Sequence, residues 1–468
     1  MRKTRRTDGP AAPRPASLAT RAAVLDWLAN RHNFERTPPR GTARAAFGLA
    51  RVRRLLAAVG SPHERLRVAH VAGTKGKGST VTMLAEILAA AGHRVGRYTS
   101  PHVYRIEERI CVDGRPIGPR DLVAAFEPVI PAAEAIDRAA AARGTRGLTW
   151  FEVVTAAAFV HFVKAGVDVV VLETGLGGRL DATNVCRPLV SVITSVSLDH
   201  MALLGNTVAK IAAEKAGIIK RGRPVVSGAT APAARRVIAA TAARRRAPLL
   251  QLDGDFDVAW CPASKSDPLQ GGAIEIRPPT RLDATPITAT ISMAGRHQAD
   301  NAALAAVAAL VLDRAGVGVS REAITRGLAR ARLPARIERM GDAPTVIVDA
   351  AHNVASMQAL VDTLIPLLES HERKVLMFAA SADKQVERML AIAAGRFDAV
   401  VVTRYLSSRR GAPIERLVAA CRAAGCRDVK AADTPAEALA RARSDAGRRG
   451  LVCVAGSFFL AAEVGGGR

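Results

Sequence analysis

The hydrophobic positions form two kinds of segment that alternate from about residue 66 onward: short β-branched apolar runs and longer segments rich in alanine and leucine. The short runs predict buried strands over Arg67–Ala72, Val167–Glu173 and Leu189–Val196. The longer segments predict helices over Gly78–Ala91 and Val208–Ala216, each followed by a glycine that can end it. This alternation is typical of a mostly parallel sheet covered by helices and places the chain in the α/β class.

The pattern changes twice in the second half of the chain. Between residues 250 and 290, short alternating stretches in a Pro-, Asp- and Gly-rich context predict an antiparallel appendage. A long alanine-rich helix is expected over Gln298–Arg314. The strand–helix alternation then restarts, and the strands expected there are Thr345–Asp349, Lys374–Ala380, Ala399–Tyr405 and Leu451–Ala455.

These segments predict two domains, since a chain of 468 residues is too long for a single core. The larger, mostly parallel domain is expected to be followed by a smaller, Rossmann-like α/β domain. The predicted parts are a disordered basic tail over residues 1–17, the larger domain over 18–333, a linker over 334–340 and the smaller domain over 341–468.

The composition limits the classes of partner. The formal net charge is +25, which attracts anions, but the basic residues are spread along the chain without aromatic interleaving or zinc-finger spacing. Small anionic substrates therefore suit the charge, and no nucleic-acid partner is expected. The six cysteines form no C-x-x-C pair, which indicates a reduced, cytoplasmic protein. No apolar stretch of membrane-spanning length interrupts the sequence, so no membrane association is expected.

A glycine-rich loop, Gly73–Ser79, lies between a predicted strand and a predicted helix. Backbone N–H groups of such a loop can converge on phosphate oxygens, and the helix N-terminus adds a favourable dipole. Lys77 would neutralise phosphate charge, while Ser79 or Thr80 could contact phosphate or magnesium. The loop predicts a phosphate-binding site, although its glycine spacing differs from the usual G-x-x-x-x-G-K-[ST] pattern.

Two further strands end in polar residues on the same side of the predicted sheet. One delivers Glu173 and the other Asp199 and His200, at the edge where open α/β sheets bind ligands. A helix then brings up Lys215 in its last turn. A solvated glutamate, a structural histidine and a lysine favoured by a helix C-terminus are the alternatives at these positions.

Six segments occur together and in order: HVAGTKGKGST, YTSPHVYRIEERI, FEVVTAAAF, LETGLGGRLDATN, LDHMALLG and EKAGIIK. In this combination the chain resembles the folylpolyglutamate synthase/dihydrofolate synthase family of Mur-type ligases. The resemblance covers nearly the whole chain after about residue 20. It implies a P-loop-containing central domain of the Mur ligase type and a C-terminal domain of the glutamate ligase type.

The resemblance also implies roles for individual residues. The residues that match the ATP site are Gly73, Thr74, Lys75, Gly76, Lys77, Gly78, Ser79, Thr80, Asn301, Arg336, Asp349 and His352. Those that match the ligands of two magnesium ions in the family are Ser100, Glu173, His200 and Lys215, the last after carbamylation. The catalytic set comprises Lys77, Glu173, His200 and Lys215. The pterin pocket matches Thr149, Phe151, Asp181 and Ala182, and the glutamate side matches Lys384 and Ser457.

Several positions depart from the family pattern. Lys75 stands where the family has Asn, Ala335 and Ala350 replace glycines, Val354 replaces a proline and Gln385 replaces an aspartate. The charged and metal-binding positions match while the glycines differ. ATP activation is therefore expected to be retained, whereas the amino-acid pocket is less constrained by the match.

The predicted activity is an ATP-dependent amide ligase, acting as a monomer. It would join L-glutamate to dihydropteroate, a folate or both through an acyl phosphate. A Mur-type ligase with another acceptor, such as a cell-wall precursor, is the first alternative. A nucleic-acid-stimulated ATPase would fit the charge but leaves Ser100, Glu173, His200 and Lys215 unexplained. A catalytically silent binding module is the third alternative, and the intact Lys77, Glu173, His200 and Lys215 argue against it.

Overall fold

The computed structural model describes residues 20–35, 47–408 and 410–466. The predicted tail over residues 1–17 lies outside the described residues. The strands are β1 (Val68–Ala72), β2 (Val95–Tyr98), β3 (Ile110–Val112), β4 (Arg115–Pro116), β5 (Val169–Glu173), β6 (Val190–Ile193), β7 (Val225–Ser227), β8 (Leu249–Gln251), β9 (Asp257–Pro262), β10 (Gly272–Arg277), β11 (Ile287–Ile291), β12 (Glu338–Asp342), β13 (Thr345–Val348), β14 (Lys374–Phe378), β15 (Ala399–Val402), β16 (Val429–Ala431) and β17 (Leu451–Ala455).

The helices surround these strands. They are α1 (Arg21–Ala29), α2 (Leu49–Ala58), α3 (Lys77–Ala90), α4 (Pro119–Phe126), α5 (Val129–Ala141), α6 (Trp150–Lys164), α7 (Met201–Leu204), α8 (Val208–Ala216), α9 (Pro232–Arg244), α10 (Arg296–Arg314), α11 (Arg321–Arg330), α12 (Val354–Ser370), α13 (Val386–Ala393), α14 (Ile414–Ala423), α15 (Pro435–Ala446) and α16 (Phe458–Gly465). Within the described ranges, no helix is long and apolar enough to cross a membrane.

The larger domain is built on an eight-stranded sheet with the strand order β4-β3-β2-β5-β1-β6-β7-β8. From β2 to β8 the neighbours pair in parallel, and only β3 and β4 are antiparallel. Strands β1, β5 and β6 are buried throughout because helices cover both faces, which explains their unbroken apolar runs. Val71 pairs with Glu173 and Ala72 with Ile193, so three strand ends meet at one edge.

The antiparallel appendage is confirmed with one correction. Strands β9, β10 and β11 form a separate three-stranded sheet. The appendage was expected from residue 250, however, and the chain up to Gln251 belongs to β8, which extends the large sheet in parallel beside β7. The apolar side of β10 and β11 packs against the alanine-rich α10, which lies buried between this small sheet and the large one.

The smaller domain contains a six-stranded sheet with the order β12-β13-β17-β14-β15-β16. All neighbours pair in parallel except β12 with β13. Strand β12 begins at Glu338, inside the segment predicted as a linker, so the sheet of the smaller domain starts earlier than expected. Strands β14 and β15 end before the predicted Ala380 and Tyr405. The two parallel-rich sheets confirm the α/β class.

Candidate active site

A cleft of about 1430 Å³ runs between the two domains. Its lining includes every site residue predicted from the sequence except Thr80, together with side chains from α1 and from the loop before α2. Thr80 is fully buried beneath the cleft floor. The fold therefore brings together residues that are nearly 400 positions apart in the chain, as expected for an edge where parallel strands end.

The phosphate loop follows β1 and is fixed by the residues after β6. Thr74 N–H donates to the Ser195 carbonyl at 2.8 Å, and Lys75 N–H donates to the Ser195 hydroxyl at 3.0 Å. Gly76 has a φ of +80°, and a Cβ there would lie 2.2 Å from Asn301 Oδ1. The loop therefore needs glycine at this position for both its conformation and the space. Helix α3 begins directly afterwards, with its unpaired N–H groups at the cleft.

Lys77, Glu173 and Ser100 form a charged group beside the loop. Lys77 Nζ lies 4.0 Å from Glu173 Oε1, and the Ser100 backbone N–H donates to Glu173 Oε2 at 3.0 Å. Burial raises the pKa of Glu173, although Lys77 and the Ser100 N–H oppose that shift. This arrangement leaves a buried carboxylate next to a cation on the floor of the cleft.

Lys215 reaches the phosphate loop from the last turn of α8. Its Nζ donates to the Gly73 carbonyl at 2.8 Å, and the side chain is buried. Burial, and then the nearby charge of Lys77, lower the pKa of Lys215 well below its ordinary value. This shift favours the neutral amine, which is the form that reacts with CO2. Carbamylation stays a prediction.

Asp199 joins the two domains, a role that was not predicted from the sequence. Its Oδ2 accepts from Lys75 Nζ at 3.0 Å and from Asn353 Nδ2 at 2.8 Å, and its Oδ1 accepts from Lys384 Nζ at 2.8 Å. Lys75 Nζ also lies 3.3 Å from His352 Nε2. The position of Asp199 at a strand end was visible in the sequence, but its partners on the smaller domain were not.

The charges in this group act on one another. Burial alone would raise the pKa of Asp199, but Lys75, His200 and Lys384 hold it far below its usual range. Burial lowers the pKa of Lys75 to about 8, against the opposing effect of Asp199. The carboxylate is therefore ionised at neutral pH, and Lys75 loses its charge within the mildly alkaline range.

The predicted magnesium ligands are only partly clustered. His200 has a left-handed backbone with a φ of +48° and sits beside Asp199, with Nε2 3.9 Å from Asp199 Oδ1. In the part of the chain that the structure describes, no group of three or more His, Cys, Asp or Glu side chains could hold a metal ion by itself. Magnesium commonly takes one or two carboxylates, with phosphate and water oxygens completing its shell. The buried Glu173 carboxylate beside the phosphate loop fits that requirement.

The predicted pterin residues lie on α6 and on the loop after β5. Thr149 caps α6, accepting from Glu152 N–H at 3.2 Å, while the Glu152 carboxylate accepts from Thr149 N–H at 2.7 Å. Phe151 projects over the next loop so closely that a Cβ on Gly175 would lie 2.6 Å from its Cζ. The glycine therefore allows the aromatic ring to form one wall of the cleft.

Asp181 turns its carboxylate toward its own loop. Oδ2 accepts from Leu176 N–H at 2.8 Å, and Oδ1 accepts from Thr183 N–H at 3.0 Å and from its hydroxyl at 2.6 Å. His70 Nε2 lies 2.8 Å from the same hydroxyl. Ala182 is buried beside them. These contacts shape the pocket wall, and pterin binding by Asp181 stays a prediction.

A buried cation beside this pocket was also missed. The Arg109 guanidinium pairs with Glu35, with Nη1 2.9 Å from Oε1, and its Nε donates to His102 Nδ1 at 2.7 Å. It lies 4.7 Å from the centre of the Trp150 ring. Arg410 of the smaller domain donates to the Glu35 carbonyl at 2.6 Å, so this end of the cleft also crosses the domain boundary.

The smaller domain contributes the remaining predicted residues. Asp349 follows β13, and its carboxylate accepts from the N–H groups of Ile337 at 2.8 Å and Ala351 at 2.7 Å. Arg336 lies 4.9 Å from the Phe458 ring. Ser457 caps α16, accepting from Phe459 N–H at 3.0 Å. All of these residues line the cleft, and both Asp349 and Ser457 accept hydrogen bonds from backbone N–H groups of the smaller domain.

Comparison with known proteins identifies this arrangement. Residues 132–309 match the Mur ligase middle domain, and residues 335–458 match the Mur ligase glutamate ligase domain. A Bacillus subtilis dihydrofolate synthase/folylpolyglutamate synthase is 39% identical over 73% of this chain and 77% of its own length. The chain belongs to the dihydrofolate synthase/folylpolyglutamate synthase family. The resemblance read from the motifs is thereby confirmed.

Further relatives extend this membership over the whole fold. The corresponding Mycobacterium tuberculosis protein is 37% identical over 87% of this chain and 82% of its own length. The structure of M. tuberculosis folylpolyglutamate synthase complexed with ADP and AMPPCP superposes with a TM-score of 0.84 at 33% identity, covering 97% of this chain and 99% of that one. Escherichia coli FolC in complex with DHPP and ADP superposes with a TM-score of 0.78 at 31% identity, covering 96% and 98%. The predicted class of ATP-dependent, C–N bond-forming ligases acting on folates is confirmed.

Proposed function

We propose that this protein joins L-glutamate to the carboxylate of dihydropteroate, of a reduced folate or of both, with ATP as the energy source. The convergence of the phosphate loop, the Lys77–Glu173 pair and the buried Lys215 amine in one cleft is the observation that carries the proposal. The ADP, AMPPCP and DHPP in the solved relatives agree with ligands of these kinds.

The proposed reaction has two steps. The substrate carboxylate attacks the γ-phosphate, giving an acyl phosphate and ADP, and the amine of glutamate then attacks the acyl carbon and expels phosphate. Both reactants of the first step are anions that repel each other. Lys77 and Arg336 offset that repulsion from opposite sides of the cleft, and the N-terminus of α3 adds its dipole.

Magnesium is proposed as the metal cofactor, held at Glu173 with Ser100, His200 and a carbamylated Lys215 as further candidate ligands. When bound there, it would supply positive charge to the phosphate oxygens. Carbamylation would replace the buried Lys215 amine with an anionic group that could help to hold the metal. The lowered pKa of the Lys215 amine, which donates to the Gly73 carbonyl, supports this reaction.

Closure of the two domains would exclude water from the acyl phosphate. Lys384 and Asn353 reach Asp199 from the smaller domain and hold the cleft closed at the phosphate loop. We propose small-molecule substrates only and a monomeric active unit. Light scattering during size-exclusion chromatography tests the oligomeric state.

A substrate panel tests the activity. The protein is incubated with ATP, magnesium, L-glutamate and either dihydropteroate or tetrahydrofolate, and the products are identified by mass. One added glutamyl unit with stoichiometric ADP supports the proposal, and the accepted acids distinguish a bifunctional enzyme from a monofunctional one. ADP release that does not depend on glutamate, without an amide product, would refute it. A cell-wall precursor as the only accepted acid would favour another Mur-type ligase.

A further inference from the structure

A buried histidine lies on β1, shortly before the phosphate loop. His70 is part of the first sequence motif, HVAGTKGKGST, but none of the proposed steps uses it. Its side chain is fully buried, and its Nε2 lies 2.8 Å from the hydroxyl of Thr183, which is 113 positions away on the loop after β5. The ring therefore joins an inner strand of the large sheet to the wall of the predicted pterin pocket.

The contacts of Thr183 decide which ring nitrogen carries the proton. Both carboxylate oxygens of Asp181 accept from backbone N–H groups, Oδ1 from Thr183 at 3.0 Å and Oδ2 from Leu176 at 2.8 Å. The Thr183 hydroxyl therefore donates its single proton to Asp181 Oδ1, at 2.6 Å. It can then only accept from the ring, so His70 is the tautomer with a proton on Nε2.

The other ring nitrogen makes no comparable contact. Among the residues that the structure describes, none forms a hydrogen bond with His70 Nδ1, although the atom is buried. Burial, and then the charge of Lys220, lower the pKa of His70 to about 3, so the ring is neutral and Nδ1 is a bare acceptor. A buried acceptor without a partner is unfavourable, and an apolar side chain would serve packing better. The hydrogen bond from Nε2 is therefore the contact that requires a histidine here.

The proton on Nε2 controls where the threonine proton goes. The other tautomer would draw the hydroxyl proton toward the ring, and a side chain without a donor would no longer orient the hydroxyl. Asp181 lines the cleft, and burial raises its pKa while the Thr183 hydroxyl opposes that shift. The chain of hydrogen bonds thus favours the ionised Asp181 carboxylate and fixes its orientation.

We infer that His70 is a positioning residue for the pterin acid, acting through the Thr183 hydroxyl on the Asp181 carboxylate. His70 itself does not line the cleft, so its effect on the substrate passes through these two side chains. The inference rests on the proposed function, since it takes Asp181 as a group that faces the pterin.

Calorimetric titration with dihydropteroate, at saturating AMPPCP, tests this inference without ligase turnover. His70→Leu removes the donor and should weaken dihydropteroate binding roughly tenfold, the effect of disturbing one hydrogen bond to a charged group. His70→Gln places an amide N–H near the position of Nε2 and should bind within about threefold of the wild type. AMPPCP affinity should be unchanged in both variants. Equal losses of dihydropteroate affinity in the two variants, or an equal loss of AMPPCP affinity, would overturn the inference.

A double-mutant cycle shows whether the effect passes through the threonine. Thr183→Val removes the hydroxyl at nearly constant shape and should weaken dihydropteroate binding as much as His70→Leu does. The double variant should be no more than about twofold worse than Thr183→Val alone. Losses that multiply would contradict the inference, because the two side chains would then act independently.

Ser191→Ala is the matched control for a lost buried hydrogen bond. Ser191 on β6 pairs with His70 on β1, and its buried hydroxyl donates to the Ile218 carbonyl at 3.1 Å. This variant should unfold at a lower temperature but keep its dihydropteroate affinity, and a loss equal to that of His70→Leu would reduce His70 to a structural residue. If His70→Leu does not fold, His70→Asn replaces it, because the shorter amide reaches only to the position of Nδ1, and the comparison with His70→Gln decides in the same way.

Nitrogen-15 NMR of labelled histidine separates this inference from the proposed function. The His70 signals, identified by their absence from His70→Gln, should show a proton on Nε2 and none on Nδ1, and the Nε2 signal should shift in Thr183→Val. A proton on Nδ1 would overturn the inference. Dihydropteroate binding without a glutamylated product would count against the proposed function alone, whereas a wild type that binds no pterin acid would refute both.

Discussion

Replacing Lys384 with methionine should open the cleft of the unliganded protein. Lys384 Nζ lies 2.8 Å from Asp199 Oδ1, across the domain boundary, and the two side chains are only 11% and 8% exposed. Methionine keeps most of the apolar stem but removes the charge. Asp199 would retain Asn353 as its hydrogen-bond partner from the smaller domain.

The size of the effect follows from this geometry. Two unit charges 2.8 Å apart attract each other by about 6 kcal/mol at an effective dielectric constant of about 20. Desolvation of both groups offsets much of that attraction, and a hydrogen bond to a charged group contributes roughly 1.5–3 kcal/mol net. Since each 1.4 kcal/mol is tenfold, Lys384→Met should shift the closed–open equilibrium roughly 10- to 150-fold toward the open form.

Small-angle X-ray scattering without ligand measures the opening. The wild-type profile should match the closed structure at low salt, whereas the variant should show a larger radius of gyration. Lys430→Met is the matched control, because Lys430 Nζ also lies 2.8 Å from a carboxylate, that of Asp445, but within the smaller domain. Indistinguishable profiles for the wild type and Lys384→Met would refute the idea that this ion pair holds the domains together.

Three further results are expected. Nucleotide binding by the wild type should weaken as pH rises from 7 to 9, because the Lys75 amine, with a pKa of about 8, loses its charge there. Lys75→Asn should not show this weakening, and an equal decline of affinity in both proteins by calorimetry would contradict the prediction. Lys215→Ala should lower kcat roughly a hundredfold while AMPPCP affinity changes little, and near-normal turnover would exclude a role for a carbamylated lysine. Gly76→Ala should abolish ATP binding because its Cβ would lie 2.2 Å from Asn301 Oδ1. The control Gly92→Ala, at a φ of +91° with open space around it, should lose only stability. Retained ATP affinity in Gly76→Ala would show that the loop adapts.

The order of the elements and the ligand-binding edge were predictable because they depend on local patterns. Strands β1, β5 and β6 carry unbroken apolar runs since both faces are covered, and their carboxyl ends must meet once they pair in parallel. The phosphate loop and Glu173 follow from that arrangement. The predicted start of the appendage at residue 250 fell inside β8 of the large sheet, because a short apolar run gives no information about which neighbour it pairs with.

Contacts between distant segments could not be predicted from the sequence. Asp199 was seen at the end of its strand, but its partners Lys384 and Asn353 lie more than 150 residues away on another domain. The same applies to Arg109, whose charge is balanced by Glu35 from the N-terminal segment. Local patterns cannot state which charges meet after the chain closes on itself.

The sequence by itself determined the fold class, the family and the chemistry of the phosphate loop, because these follow from the periodicity of the strands and from short motifs. Only the tertiary structure decided that His70 meets Thr183 and, through its hydroxyl, Asp181. The histidine lies 113 positions before the threonine, and the two come together because β1 pairs with β5, whose following loop carries Thr183. No local preference predicts which buried side chains then meet, because their packing is a property of the whole fold.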